Sequence, residues 1–322
     1  MQGSKVALGL FFASLLLLTA CSGGRIGCAL TPGANLRGCS WSIEERERFG
    51  DLNLEGADMR GTNLYMANLV GANLTDVDFD AATLTDGDLT GANLQRATLR
   101  VAGLNRIKLT GANLSGADLS NAWLGGSDLT DAVLIGTTLI GAKFTDRIAD
   151  SSGNTSLDTS NLTNTDLSGA DLRFADLRGA NLAGANLERA DLRFANLTGA
   201  ALSGADLSGA QLDFAVFDDA NLQGVTLSNA TFNSASFVNA IFTNASFYDT
   251  TIELAIFTKA NFTGADFTKS IINLCRFGEA SMLNADFTEA EIWASSFGGA
   301  TLVDLSPAES ISQTTMPDYS RR

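Results

Sequence analysis

A large apolar residue returns every five positions along most of this chain, and few folds admit that period. From Leu54 it falls at Met59, Leu64, Leu69, Leu74 and Phe79 and continues to Phe144, 19 pentads in all. A second run opens at Leu157 and keeps register through Leu302, for 30 pentads. Two residues before each centre stands a small residue, Ala in 22 of the 30 pentads of the second run. A period of five matches neither the 3.6 residues of an amphipathic helix nor the two of a strand. It suits a coil with flat sides, in which one pentad forms a side and the chain turns at each corner. Gly, Asn, Asp and Ser follow the centres, and these residues tolerate tight turns.

The number of sides follows from a longer echo. ADLRF stands at 170–174 and again at 190–194, and AQLDF follows at 210–214. An echo of twenty means four pentads per turn, so equivalent pentads stack one coil above another. A three-sided coil would instead favour an echo of fifteen. From Phe217 onward 11 of 18 centres are Phe, against 2 of 19 in the first run, so the later coils should carry an aromatic ladder inside.

With the consensus A-(D/N)-L-x-x repeated over residues 52–302, the chain resembles the pentapeptide-repeat family. The resemblance implies an all-β fold, a right-handed quadrilateral β-helix. Leu or Phe and the preceding Ala would fill its interior, and the other three positions would face solvent or form corners. About twelve coils, stacked at the spacing of paired strands, would make a rod on the order of 60 Å long. Solenoids need their open ends covered. Here Ser42-Ile43-Glu44-Glu45 reads as a capping box opening a short helix to about Phe49.

The N-terminus reads as an address. MQGSKVALGLFFASLLLLTAC has Lys5 followed by an apolar stretch, Val6–Leu18, too short for a comfortable membrane span and suited to a secretory signal. Its end, Leu18-Thr19-Ala20-Cys21, resembles the lipobox of bacterial lipoproteins, which implies cleavage before Cys21 and acylation there. Several acyl chains anchor a protein stably where one does not. Cys28 and Cys39 bracket a Pro/Gly segment in what would be an oxidising compartment, so a disulfide is expected, with two free thiols as the alternative. Cys275 falls on an inward repeat position.

The chain therefore divides into a signal peptide (1–20), a lipid-anchored linker and cap (21–51), a first run of repeats (52–144), a loop or register break (145–156), a second run (157–304) and a flexible C-terminal tail (305–322). Ala34-Asn35-Leu36 stands apart as a lone pentad out of register.

No catalytic, cofactor or metal site is expected. Histidine is absent, which removes His-based triads and His-ligated metals. No G-x-S-x-G, Walker or dinucleotide motif occurs. A net charge of −15 opposes direct binding of nucleic acid through its phosphates. The acidic residues do not gather on one face. The most acidic, centred on Leu167, Leu187, Leu207, Leu227, Phe247, Phe267 and Phe287, carries a net −5, and the first run has a basic belt of Arg96, Arg100, Arg106 and Lys108. One further pattern stands out: Phe174, Phe194 and Phe214 recur at a non-core position, with Arg173 and Arg193 beside two of them. This stripe is either an interaction surface or a corner whose rings fold against the neighbouring coil or turn inward.

These features point to a non-enzymatic lipoprotein, exported and anchored through Cys21 to a bacterial membrane on its periplasmic side or at the cell surface. It would serve as a protein-interaction or structural scaffold for an unidentified protein partner, with homodimerisation open. The alternative is a DNA-mimicking topoisomerase binder like the fluoroquinolone-resistance members of the same family, which act in the cytoplasm.

Overall fold

Five consecutive amides explain why the repeat has the composition it has. Leu69 N–H donates to the Asp88 carbonyl of the next coil (2.7 Å), and Gly71 N–H to that of Thr90 (3.0 Å). Ala72 N–H closes the corner onto Leu69 (3.1 Å), while Asn73 N–H reaches back to Leu52 in the preceding coil (2.8 Å). The fifth, Val70 N–H, is taken by the side-chain Oδ1 of Asn68 at 3.1 Å. A buried backbone donor must find a partner. This pentad meets that demand with four main-chain bonds and one Asx cap, and the cap recurs at Asn63, Asp88, Asn113 and Asp118, so an Asp or Asn before the centre is part of the backbone bonding as well as a solvating group.

The computed structural model describes residues 30–37, 39, 52–144, 155–301, 303–312 and 314. They form a four-sided solenoid of parallel pairing. Residue i bridges residue i+20, as in Asn53↔Asn73 and Asn73↔Asn93, and the same offset runs through the second set of pentads. We number the faces by their centres: face I through Leu157, Leu177 and Leu197, face II through Leu162 and Leu182, face III through Leu167 and Leu187, face IV through Leu172 and Leu192. On the upper part of face IV the pairing lengthens into strands: β1 (Thr231–Asn233), β2 (Thr251–Glu253), β3 (Ile271–Asn273), β4 (Glu291–Trp293) and β5 (Ser310–Ser312). They form one parallel sheet in chain order. Their segments TFN, TIE, IIN and EIW are rich in β-branched and aromatic residues, which suit a pleated, half-buried surface.

At each corner the second residue after the centre takes a positive φ, as a type II turn requires. Gly71 (φ 66°) adopts it without steric cost, but Val101 (φ 59°), Phe174 (61°), Phe194 (63°) and Phe214 (60°) hold the same backbone with full side chains. Outside glycine that conformation costs roughly 1–2 kcal/mol per residue. The closed stack of hydrogen bonds on both sides holds it in place.

The pentad centres and the small residues before them form one continuous apolar interior. The expected aromatic ladders are there. Phe217, Phe237, Phe257, Phe277 and Phe297 stack along face I with centroid spacings of 5.0, 5.1, 5.0 and 4.6 Å. Phe247, Phe267 and Phe287 stack along face III at 4.5 and 4.8 Å. Hydroxyls that replace the small apolar residue are bonded inside at Ser127 (to the Leu104 carbonyl, 2.7 Å), Thr137 (to Leu114, 2.8 Å) and Thr165 (to Leu134, 2.6 Å), whereas the buried Ser270 Oγ has no partner among the described residues. Cys275 is a buried free thiol, pushed up to about 12 by that burial.

Two boundaries differ from the sequence reading, while the break between the two runs leaves one continuous solenoid. Across the break the bridges are Asp128↔Ser156, Val133↔Asn161, Thr138↔Asp166 and Lys143↔Asp171, all offset by 28. Eight extra residues are therefore accommodated at one corner, and the four faces continue without losing a side. Ala34-Asn35-Leu36 is not detached: Asn35 bridges Asp58, Leu36 N–H donates to the Asp58 carbonyl at 2.7 Å, and Leu36 is buried. The C-terminal tail expected from residue 305 is partly a further layer. Leu305 is buried, Asp304 Oδ1 caps Ser306 N–H at 3.0 Å, and β5 pairs Ile311 with Ile292. The backbone there keeps its bonding after the five-residue spacing has lapsed. The expected capping helix at 42–49 lies outside the described residues.

Candidate functional site: a stacked aromatic corner

Phe174, Phe194 and Phe214 occupy the corner where face IV turns into face I, one per coil. Their rings lie 5.0 Å apart at both steps, with interplanar angles of 5° and 4°. They are 47%, 47% and 49% exposed, so they do not turn into the interior; they pack on one another and leave their outer edges in solvent. The rings thus pack against the neighbouring coils and keep an exposed outer edge. The same corner continues through Ser234 to Leu254 and Leu274, both exposed. Trp293 and Ile311 are exposed on face IV above them.

Face IV is one uninterrupted ladder, from Asn63 through Thr83, Gly103, Trp123, Lys143 and Asp171 to the strands. Among the described residues, ten of the seventeen exposed large apolar residues belong to it or to its corner, where an even spread over four faces would leave about four. Counting by twenty in the sequence already carries this position from the three phenylalanines through Ser234, Leu254 and Leu274 to Ala294. Trp293 stands one place earlier in its pentad, so that count does not reach it.

The two arginines beside the corner are paired. Arg173 forks onto Asp171 (2.8 and 2.8 Å) and Arg193 onto Asp191 (2.8 and 2.7 Å). The basic belt is likewise neutralised from the coil below. Arg96 forks onto Asp76 (2.8 and 2.7 Å), and Arg106 onto Asp86 (2.7 and 2.8 Å). Arg100 pairs with Asp80, and Lys108 with Asp88 at 3.5 Å. These partners were legible by subtracting twenty from each basic residue. Guanidinium hydrogen bonds hold Asp58, Asp76, Asp86 and Asp176 below the usual carboxylate range. Carboxyls so held stay ionised and act as fixed counter-charges rather than proton donors. Such exposed pairs are individually worth little, about 0–1 kcal/mol.

Cys39 is disulfide-bonded; its expected partner Cys28, and the expected lipidation site Cys21, lie outside the described residues. Among the described residues no group of three or more Cys, Asp or Glu could hold a metal ion, and no helix is long and apolar enough to cross a membrane.

Family models for pentapeptide repeats match residues 48–76, 78–116, 112–146 and 170–209, and a second such model matches 202–251 and 217–260. No curated protein matches the chain. Solved structures of similar fold include HetL, a pentapeptide repeat protein involved in heterocyst differentiation regulation from the cyanobacterium Nostoc sp. strain PCC 7120. It is 25% identical, with 77% of this chain and 92% of that chain covered and a TM-score of 0.44. A trypsin-treated form of QnrB1, a plasmid-mediated fluoroquinolone resistance protein, is 20% identical over 68% of this chain and 88% of that chain, with a TM-score of 0.34. A thylakoid-lumen pentapeptide repeat protein from Arabidopsis thaliana is 25% identical over 45% and 67%, with a TM-score of 0.22. The repeat, the twenty-residue register and the matched family models agree: this chain belongs to the pentapeptide-repeat family.

Proposed function

We propose that the chain is an exported lipoprotein, cleaved before Cys21 and acylated there, whose solenoid is a non-enzymatic scaffold presenting its outer faces to a protein partner. The observation that carries this reading is the disulfide at Cys39. Structural disulfides belong to oxidising compartments, and this one stands 18 residues after the lipobox cysteine, between the anchor and the first full coil. The pairing of Arg with Asp along the coils also supports it. A mimic of duplex DNA needs files of unpaired carboxylates, and here Asp58, Asp76, Asp80, Asp86 and Asp176 each carry an Arg.

The test is expression with radiolabelled palmitate in a host that processes lipoproteins, beside Cys21→Ser, followed by cell fractionation. Label and membrane retention that disappear in the variant are the expected result. An unlabelled, uncleaved, cytosolic product would overturn the reading and bring topoisomerase inhibition forward.

A further inference from the structure

The apolar corner differs in shape from an ordinary protein-binding patch. It is a convex ridge one residue wide that runs along the rod through Phe174, Phe194, Phe214, Leu254 and Leu274. From Phe174 to Leu274 is five layers, roughly 24 Å at the strand spacing. A rigid flat partner would touch such a ridge along a line, whereas a fluid phase closes around it. Exposed apolar stripes of this extent mark interaction or membrane sites.

Charge beside the ridge is sparse and mixed. Asp171 and Asp191 are matched by Arg173 and Arg193, while Asp213 and Glu253 precede Phe214 and Leu254. Across the corner the outward residues of face I are Asp176, paired with Arg178, then Asn196, Val216, Ser236, Ile256 and Arg276. Face III, the most acidic of the second run, does not border this corner; it borders the opposite one.

We propose that the rod lies lengthwise on the membrane that anchors it, with this ridge seated at the boundary between head groups and acyl chains of a zwitterionic phospholipid bilayer. The inference rests on the anchor at Cys21. Nine residues from Cys21 to the first described layer at Leu30 span about 30 Å at most, enough to let the rod lie down beside its tether. Apolar side chains entering the interface, without attraction from anionic lipid, suffice once acyl chains hold the protein there.

The test uses the lipidated full chain in phosphatidylcholine vesicles whose acyl chains carry bromine, which quenches tryptophan on contact. Trp41, Trp123 and Trp293 are first replaced by Phe, and one reporter is added: Phe194→Trp on the ridge, or Asn244→Trp on the opposite corner. Circular dichroism of each variant confirms that the stack is intact. The expected result is that Phe194→Trp loses most of its fluorescence in brominated vesicles while Asn244→Trp does not. Equal fluorescence in brominated and plain vesicles at both reporters would overturn the inference, whether the ridge is free or covered by protein. Palmitate labelling of the same preparations separates the two readings. Labelled protein with an unquenched ridge defeats this inference alone; unlabelled protein defeats the anchor.

Discussion

Replacing Phe247 by Ala is expected to lower the stability of the chain by about 3–5 kcal/mol, the usual cost of emptying a buried aromatic site. Phe247 is fully buried. Its ring lies 4.5 Å from that of Phe267 and 5.1 Å from that of Phe242, and Phe232 and Phe262 stand 6.1 and 5.8 Å away. Backbone pairing above and below fixes the spacing of the coils, so the walls cannot close on the space left behind. Phe214→Ala removes a ring of the same size from the outside, where half of it already meets water. That change should cost about 1 kcal/mol or less. Urea denaturation of the two variants beside the parent decides the matter. Equal shifts in midpoint would contradict the separation of an inner ladder from an outer one.

The second large effect concerns the corner between Phe144 and Leu157. The offset of 28 across it implies a normal corner plus eight residues. Deleting residues 146–153 leaves Phe144-Thr145-Asn154-Thr155-Ser156-Leu157, a regular pentad with Asn where positive φ is required. That chain should fold with unchanged stability. Deleting all of 145–154 leaves two residues between the centres where four are needed. It must pull Phe144 or Leu157 out of the interior. The loss expected is about 3 kcal/mol, from burial of whichever side chain leaves together with the bond from Thr155 Oγ1 to the Phe144 carbonyl (2.6 Å). Denaturation curves of the two deletions should therefore separate widely, although they differ by only two residues.

What could be read from the letters was whatever repeats. The centres, the inward Ala, the four sides and the inner phenylalanines all follow from periods of five and twenty, because each layer buries the same kinds of atoms. The capping role of the Asp or Asn before each centre was hidden, since a polar residue pointing outward is already explained by solvent. Leu36 was set apart because 18 residues separate it from Leu54, which is no multiple of five. Its bridge between Asn35 and Asp58 depends on pairing between coils and not on spacing along one. The final layer was missed for a similar reason: Leu305 and Ile311 stand six apart, so the pattern ends before the pairing does. At the aromatic corner the recurrence of Phe174, Phe194 and Phe214 was plain. The direction of their rings depends on a corner φ near +60°, which holds each side chain against the next coil rather than inside it.

The central structural claim is a single stack that runs unbroken past the insertion, and amide hydrogen exchange tests it most directly. Leu129, Leu134, Leu139 and Phe144 donate to the carbonyls of Ser156, Asn161, Asp166 and Asp171 at 2.8, 2.7, 2.7 and 2.9 Å, one bond on each face across the break. In one continuous rod these four amides should exchange as slowly as Leu182 and Leu187, whose partners Ala201 and Asp206 lie 2.7 and 2.6 Å away in the uninterrupted second run. Rapid exchange at the four, with slow exchange on either side, would mean two shorter stacks meeting at an open joint.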